Sequence, residues 1–340
     1  MLAEQKKYFD RHLKLEGFGE KSQEKLLNSS VLVVGAGGLG CPVLQYLVTA
    51  GVGQIGIIDG DTIAQSNLHR QILFRIDDIG KSKAQVAASR LRQLQPAVNI
   101  QIYDQALTSE NALEIFDSYD LIVDGTDNFA ARYLVNDASV MLNKPFVSGA
   151  IDGYIGQISV FNYNGGPTYR CLYPDEPSPE TCNSCSVNGV LNVLPGIVAL
   201  YMTNEIIKVI TGYGEVLSGK LLLMDIRTSN HQVISFTLNA ENKKVNTLKR
   251  DVLLNIGELS SFMALHPETQ LIDVREAWEF EESNVGGINI PLNELPFRKN
   301  EIDKSKPIIL ACQSGKRSRY AAKILKMLNE APVYLTRLEP

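Results

Sequence analysis

The stretch Val31-Leu-Val-Val-Gly35-Ala-Gly37-Gly38-Leu-Gly40 decides the fold. An apolar run short enough for a buried strand gives way to glycines at the positions of G-x-G-x-x-G, and a helix-length apolar stretch follows. Glycines there let backbone amides approach a phosphate at a helix N-terminus, where the helix dipole also favours negative charge. Asp59 closes the next apolar run about twenty residues on, where a carboxylate can hold ribose hydroxyls. Taken alone, Gly35, Gly37, Gly38, Gly40 and Asp59 fit NAD as well as any other nucleotide, so the residues beyond them must discriminate.

Working outward, the expected strands Val31–Val34, Ile55–Ile58, Ile100–Tyr103, Leu121–Val123 and Phe146–Ser148 alternate with helical stretches. The fold class is therefore α/β, a Rossmann-like doubly wound sheet. After Gly149 the alternating run Gln157–Tyr163 leads into a Pro- and Gly-rich stretch, Gly165–Pro179, expected to form a long crossover loop. Val190–Ile210 is nearly apolar enough for a membrane span, but Asn192, Pro195, Asn204, Glu205 and Lys208 interrupt it, so it reads as a core helix. Leu221–Asp225 is another strand. The polar stretch from Asn239 to Arg250 is the linker candidate, which divides the chain into 1–238, a linker at 239–255, and a second α/β domain at 256–340.

Composition narrows the function classes. The 340 residues exceed what one core usually organises, and 44% hydrophobic with 21% charged residues describes an ordinary globular protein. A formal net charge of -5 argues against nucleic acid as a partner. No signal-peptide core and no uninterrupted membrane-length apolar run are visible, so a cytoplasmic protein without membrane contact is expected. The odd number of cysteines, 5, does not suggest a disulfide framework.

Past Asp59 come Asp61, then Ser66-Asn67-Leu68-His69-Arg70-Gln71, then Gly80-Lys81-Ser82-Lys83. Arg70 and Lys83 suit the clamping of β- and γ-phosphates, because guanidinium and ammonium groups stabilise a pyrophosphate leaving group. Hydride transfer has no use for them. Asp124-Gly-Thr-Asp127-Asn128 ends a strand, where doubly wound sheets place ligands, and Asp127 can hold Mg²⁺.

Together, G-x-G-G-L-G at 35–40, G-V-G at 51–53, D-x-D at 59–61, SNLHRQ at 66–71, GKSKA at 80–84, DGTDN at 124–128 and PFVSGA at 145–150 resemble the HesA/MoeB/ThiF family, related to ubiquitin-activating enzymes. The resemblance implies an ATP·Mg²⁺ site in a homodimer. Gly38, Asp59, Asn67, Arg70, Lys83 and Asp127 then take nucleotide and metal roles, with Gly35, Gly37, Gly40, Asp61, Gln71 and Asn128 lining the same site. Arg11, in Tyr8-Phe-Asp-Arg11-His12, matches an arginine that reaches into the partner subunit's site. Cys185, four residues before Gly189-Val190, matches a cysteine in the crossover loop. The implied substrate is a ubiquitin-like sulfur carrier of the MoaD/ThiS type with a C-terminal Gly-Gly, which ATP would activate.

Cys182-x-x-Cys185 also has metal-ligand spacing, with Cys171 as the only obvious third ligand. Many family members carry two Cys-x-x-Cys pairs that hold structural zinc. Here Thr168 replaces the first cysteine, and Asn239–Thr247 contains none, so structural zinc is expected to be absent.

In the tail, Leu271-Ile-Asp273-Val-Arg275-Glu276, Glu279-Phe280, Val285-Gly-Gly-Ile288 and Cys312-Gln-Ser-Gly315-Lys316-Arg317-Ser318 resemble a rhodanese domain. Its strands are expected at Ile272–Val274, Ile290 and Ile308–Ala311, with a helix at Ser318–Leu328. Cys312 ends a strand and opens a loop whose amides, with Lys316 and Arg317, would stabilise a thiolate or persulfide supplied by a donor such as a cysteine desulfurase. The domain reads as C-terminally short, since a last helix would normally follow Val333–Pro340. The expected activity is adenylation followed by sulfur transfer, serving molybdopterin, thiamine or tRNA thiolation; an NAD-dependent oxidoreductase and a non-catalytic scaffold for a ubiquitin-like protein are the alternatives.

Overall fold

The computed structural model describes residues 1–175, 189–248, 253–254, 256–313, 315–326 and 333–338. Contacts divide the chain into two compact units at Leu248.

The first unit is built on an eight-stranded sheet: β1 (Ser30–Val34), β2 (Gln54–Ile58), β3 (Asn99–Tyr103), β4 (Leu121–Asp124), β5 (Phe146–Asp152), β6 (Ile155–Phe161), β7 (Lys220–Asp225) and β8 (Asn230–Ser235). Their spatial order is β3-β2-β1-β4-β5-β6-β7-β8, parallel through β5 and antiparallel beyond it. Val31 pairs with Ile55 on one side and Leu121 on the other, which is the register that lets β1 bury both faces. The connections run outward in both directions from β1 and β4, so a crevice opens between the C-terminal ends of these two strands. β8, exposed along its whole length, was not foreseen: with only Val233 and Ile234 apolar, and adjacent, it has no alternating face to signal a strand.

The helix Val193–Thr211 is long and apolar enough to cross a membrane by length and composition. Its packing assigns it instead to the core, where Leu194, Val198, Ala199, Met202 and Ile206 lie against the sheet and the Gly40–Ala50 helix. Within the expected crossover stretch, Tyr169–Leu172 forms one helical turn. The Asn239–Leu248 segment, expected as linker, belongs to the first unit: a 3-10 turn at Ala240–Lys243 folds back onto Cys171 and Asn162.

The second unit has a five-stranded parallel sheet of β9 (Leu253–Leu254), β10 (Gln270–Asp273), β11 (Ile288–Asn289), β12 (Ile308–Cys312) and β13 (Val333–Arg337), in the order β11-β10-β12-β13-β9. It begins earlier than residue 256, because β9 pairs with β13. β12 sits in the middle of the sheet and is buried throughout.

Candidate active site

The loop after β1 and the turn after β4 meet at the crevice. Gly35 has φ of +92°, and a Cβ there would stand 3.0 Å from the carbonyl oxygen of Gly125. A Cβ on Gly40 would collide with the carbonyl oxygen of Gly35, so the loop closes this tightly only with glycine. Gly37 and Gly38 are under less pressure. A Cβ on Gly38 would reach Pro195 at 3.4 Å and the Arg70 stem at 3.6 Å, so the start of the 193–211 helix and Arg70 both border the loop.

Asp59 fixes the loop from beneath: the amide of Ala36 donates to its Oδ2 at 2.7 Å, and the amide of Asp61 donates to its Oδ1 at 2.8 Å. Burial raises the Asp59 pKa, opposed by these amides and by the Lys83 charge. Lys83 opens the Lys83–Leu94 helix, capped by Ser82, and its Nζ lies 2.9 Å from Asp61 Oδ2. Asp59, Asp61 and Lys83 thus form one connected set.

Arg70 Nη1 donates to the Ser66 carbonyl at 2.8 Å and contacts His69 Nε2 at 3.0 Å. The side chain of Asn67 caps Ala64 at 3.1 Å, and its carbonyl receives the amides of Arg70 and Gln71. Gln71 is buried, and among the described residues its Oε1 has no hydrogen-bond partner. An orphaned acceptor beside the glycine loop is the sort of group a ligand completes.

Across the crevice, Asp124 is a residue whose part the sequence did not disclose. Fully buried, its carboxylate accepts from the Thr126 amide at 3.1 Å, the Thr126 hydroxyl at 2.6 Å and the Ser148 hydroxyl at 2.6 Å. It shapes the turn that presents Asp127 and Asn128. Asn128 caps the Phe129–Met141 helix through the Ala131 amide at 2.9 Å, and its Nδ2 lies 3.5 Å from Asp127 Oδ1. Asp127 is exposed at the strand end and makes no ion pair among the described residues. Mg²⁺ takes one or two protein carboxylates and completes its shell with phosphate and water, and the exposed Asp127 carboxylate is a group of that kind; among the described residues no cluster of three or more His, Cys, Asp or Glu that could hold a metal surrounds it.

One expected contributor is not brought into this set. Arg11 is exposed on the short helix Asp10–Leu13, and no hydrogen bond or ion pair among the described residues joins it to the crevice. Cys182 and Cys185 lie outside the described residues. Cys41, which follows Gly40, is buried with its thiol pushed up to about 12 by desolvation, and its Sγ donates to the Ala36 carbonyl at 3.2 Å. It is a packing residue of the loop.

In the second unit, Cys312 ends β12 and is fully buried. Gly315 turns the following loop with φ of +80°, and the Ser318 amide donates to Cys312 Sγ at 3.2 Å. Ser318, whose hydroxyl oxygen also lies 3.5 Å from that sulfur, is a contributor the sequence reading left unassigned. Arg317 forms a fork with Glu279, one arm at 2.7 Å, which holds the Glu279 carboxyl down to about 2. Arg275 pairs with the buried Asp273 at 2.7 Å and reaches Gln313 at 3.3 Å, bracing the loop from the other side.

A glycine loop, an acid-held turn and cationic side chains around a strand-order switch define a nucleotide-binding α/β enzyme. The comparisons with known proteins narrow the class. The ThiF family matches residues 9–247, and the rhodanese-like domain matches residues 258–337. Adenylyltransferase and sulfurtransferase MOCS3 of Drosophila persimilis is 40% identical over 97% of this chain and 80% of its own. The sulfur carrier protein adenylyltransferase of Thermus thermophilus is 48% identical over 68% of this chain and 87% of its own. Among solved structures, E. coli MccB with MccA-N7isoASN superposes with a TM-score of 0.62 at 23% identity, covering 69% of this chain and 72% of that one, which shows the shared fold. The chain belongs to the ThiF family and carries a rhodanese-like domain after it. It is an adenylyltransferase and sulfurtransferase, and the oxidoreductase alternative falls with that assignment.

Proposed function

We propose that the enzyme uses ATP to adenylate the C-terminal glycine of a ubiquitin-like sulfur carrier of the MoaD/ThiS type, then converts the activated carboxyl to a thiocarboxylate. One observation carries this reading: a single chain joins the Asp59–Asp61–Lys83 set at the switch-point crevice to a strand-end cysteine whose sulfur receives a helix-start amide.

In the first step a carrier carboxylate oxygen bonds to the α-phosphorus as the bond to the bridging oxygen breaks, and pyrophosphate leaves with the electron pair. Lys83 and Arg70 would hold the departing phosphates, while Asp59 takes the ribose hydroxyls. Magnesium held by Asp127 would neutralise phosphate charge. Arg11 would act from a partner subunit in a homodimer.

For the second step, a donor such as a cysteine desulfurase loads Cys312 with sulfur. Cys312 Sγ is buried, and a persulfide extends the nucleophile by ~2 Å, the length of an S–S bond. The terminal sulfur attacks the acyl carbon, AMP leaves, and an acyl disulfide forms. A thiolate at Cys185 then attacks the Cys312 sulfur and releases the thiocarboxylate, leaving a disulfide that an external thiol reduces. A persulfide and a resolving thiol of this kind need a reducing setting, which the cytoplasm supplies.

Carrier-dependent exchange of labelled pyrophosphate into ATP tests the first step. Exchange with a Gly-Gly-terminated carrier and none with a truncated carrier is expected; exchange that ignores the carrier's C-terminus contradicts the proposal. The same assay on the carriers of molybdopterin, thiamine and tRNA thiolation separately decides which pathway the enzyme serves.

A further inference from the structure

Two pairs with the same spacing, Thr168-x-x-Cys171 and Asn239-x-x-Asn242, converge on one sulfur atom. Cys171 Sγ lies 3.4 Å from both the amide and the hydroxyl of Thr168. From the other pair, the Asn239 amide donates to it at 3.4 Å and the Asn242 Nδ2 at 3.6 Å. Two such pairs closing on one point is how paired cysteines share a tetrahedral zinc. Here the donor set does not fit that metal. It offers one thiol, one hydroxyl and two amides, and the Asn239 side-chain oxygen is already engaged by the Glu241 amide at 3.1 Å. Among the described residues no group of three or more His, Cys, Asp or Glu side chains comes together.

We propose that this closure is metal-free: the Cys171 sulfur, accepting hydrogen bonds from Thr168, Asn239 and Asn242, fastens the Ala240–Lys243 turn to the Tyr169–Leu172 helix in the place of a zinc ion. Both sides of the clasp are anchored. On the helix side, Arg170 forks onto Asp137 at 2.7 Å, and the Tyr169 amide donates to Asn136 Oδ1 at 2.9 Å. On the turn side, Lys243 Nζ donates to Asn162 Oδ1 at 2.6 Å, and the Asn162 amide group holds the Ser139 and Lys144 carbonyls at 3.1 and 2.9 Å. The sulfur is therefore the hinge pin between two segments that the core already holds.

The electrostatics agree with this geometry. Burial pushes the Cys171 thiol up, but the donors from Thr168, Asn239 and Asn242 outweigh it and leave the group below the ordinary thiol value. The thiol also donates to the Asn239 carbonyl at 3.8 Å, a further contact between the sulfur and the Ala240–Lys243 side of the clasp.

The experiment uses the full chain and four proteins: wild type, Cys171→Ala, Cys171→Ser, and the triple variant Thr168→Cys/Asn239→Cys/Asn242→Cys. Metal content and thermal unfolding are measured with and without a zinc chelator, together with trypsin cleavage at Lys243 and Lys244. Wild type should hold no stoichiometric zinc and melt at the same temperature in chelator. The triple variant, now a four-cysteine site, should take up one zinc per chain and become chelator-sensitive. Cys171→Ala should melt about 2–4 °C lower, the shift expected for one such interaction in a unit of this size, and be cut at least several-fold faster; Cys171→Ser, which keeps an acceptor, should fall between. Stoichiometric zinc in the wild type, or a folded triple variant that binds none, overturns the proposal. Should the triple variant fail to fold, the alanine and serine variants decide: melting and cleavage equal to wild type in both would sink it.

Discussion

Lys83 Nζ sits 2.9 Å from Asp61 Oδ2, with the lysine side chain 8% exposed and the aspartate 67% exposed. A buried ammonium is thus neutralised by a carboxylate that stands in solvent, an arrangement that a phosphate can exchange into without leaving the cation unpaired. Removing the ammonium should lower adenylation by at least ~100-fold, the scale of one lost transition-state electrostatic donor. Pyrophosphate exchange by Lys83→Ala measures this, and Asp127→Ala should fall comparably through loss of the metal contact. Near-normal exchange in either variant would remove that residue from the site.

The glycine loop makes a sharper steric prediction. Gly40→Ala places a methyl group against the Gly35 carbonyl, which cannot move without displacing the β1 end, and overpacking of this kind costs about 1–3 kcal/mol. Gly37→Ala meets only Gln71 Nε2 at 3.8 Å. Thermal unfolding should therefore separate the two, with Gly40→Ala melting well below wild type and Gly37→Ala close to it. Loss of ATP affinity in Gly37→Ala with an unchanged melting temperature would then report on the ligand, not the fold. Equal melting of all three proteins contradicts the loop geometry.

Arg11 tests the homodimer. Arg11 is exposed on its helix, with no hydrogen bond or ion pair to the crevice of its own chain among the described residues, and on the proposed reading it would act from a partner subunit. Arg11→Ala should lose exchange activity, and mixing it with Lys83→Ala should restore a fraction, because each mixed dimer keeps one intact composite site. If mixing restores nothing although the subunits demonstrably exchange, the composite site is wrong.

Much of this architecture was legible in the residues themselves. β1, β2 and β4 announce themselves because strands buried on both faces must be continuous apolar runs, β3 at the sheet edge because its apolar residues alternate, and Gly35, Gly40 and Asp59 because only those residue types allow the close turn and its anchor. The role of Asp124 was hidden, since a buried acid held by Thr126 and Ser148 reads in sequence like its exposed neighbour Asp127. Ser318 was hidden for a similar reason: a serine amide aimed at sulfur leaves no compositional trace. Composition misled at Asn239–Leu248, where polar residues suggested a free linker but bind Cys171 and Asn162 instead.

On the proposed reading, adenylation and sulfur delivery are distinct steps carried by the two units of one chain. Cys312→Ala leaves every residue of the Asp59–Asp61–Lys83 set in place and removes the sulfur that the Ser318 amide serves. The direct measurement is a paired assay on this variant, following carrier-dependent ATP–pyrophosphate exchange and, by mass spectrometry, thiocarboxylate on the carrier with a persulfide donor present. Exchange at the wild-type rate with no thiocarboxylate is the predicted result. Thiocarboxylate formed by Cys312→Ala at the wild-type rate would contradict the account and move the sulfur-bearing role to another cysteine.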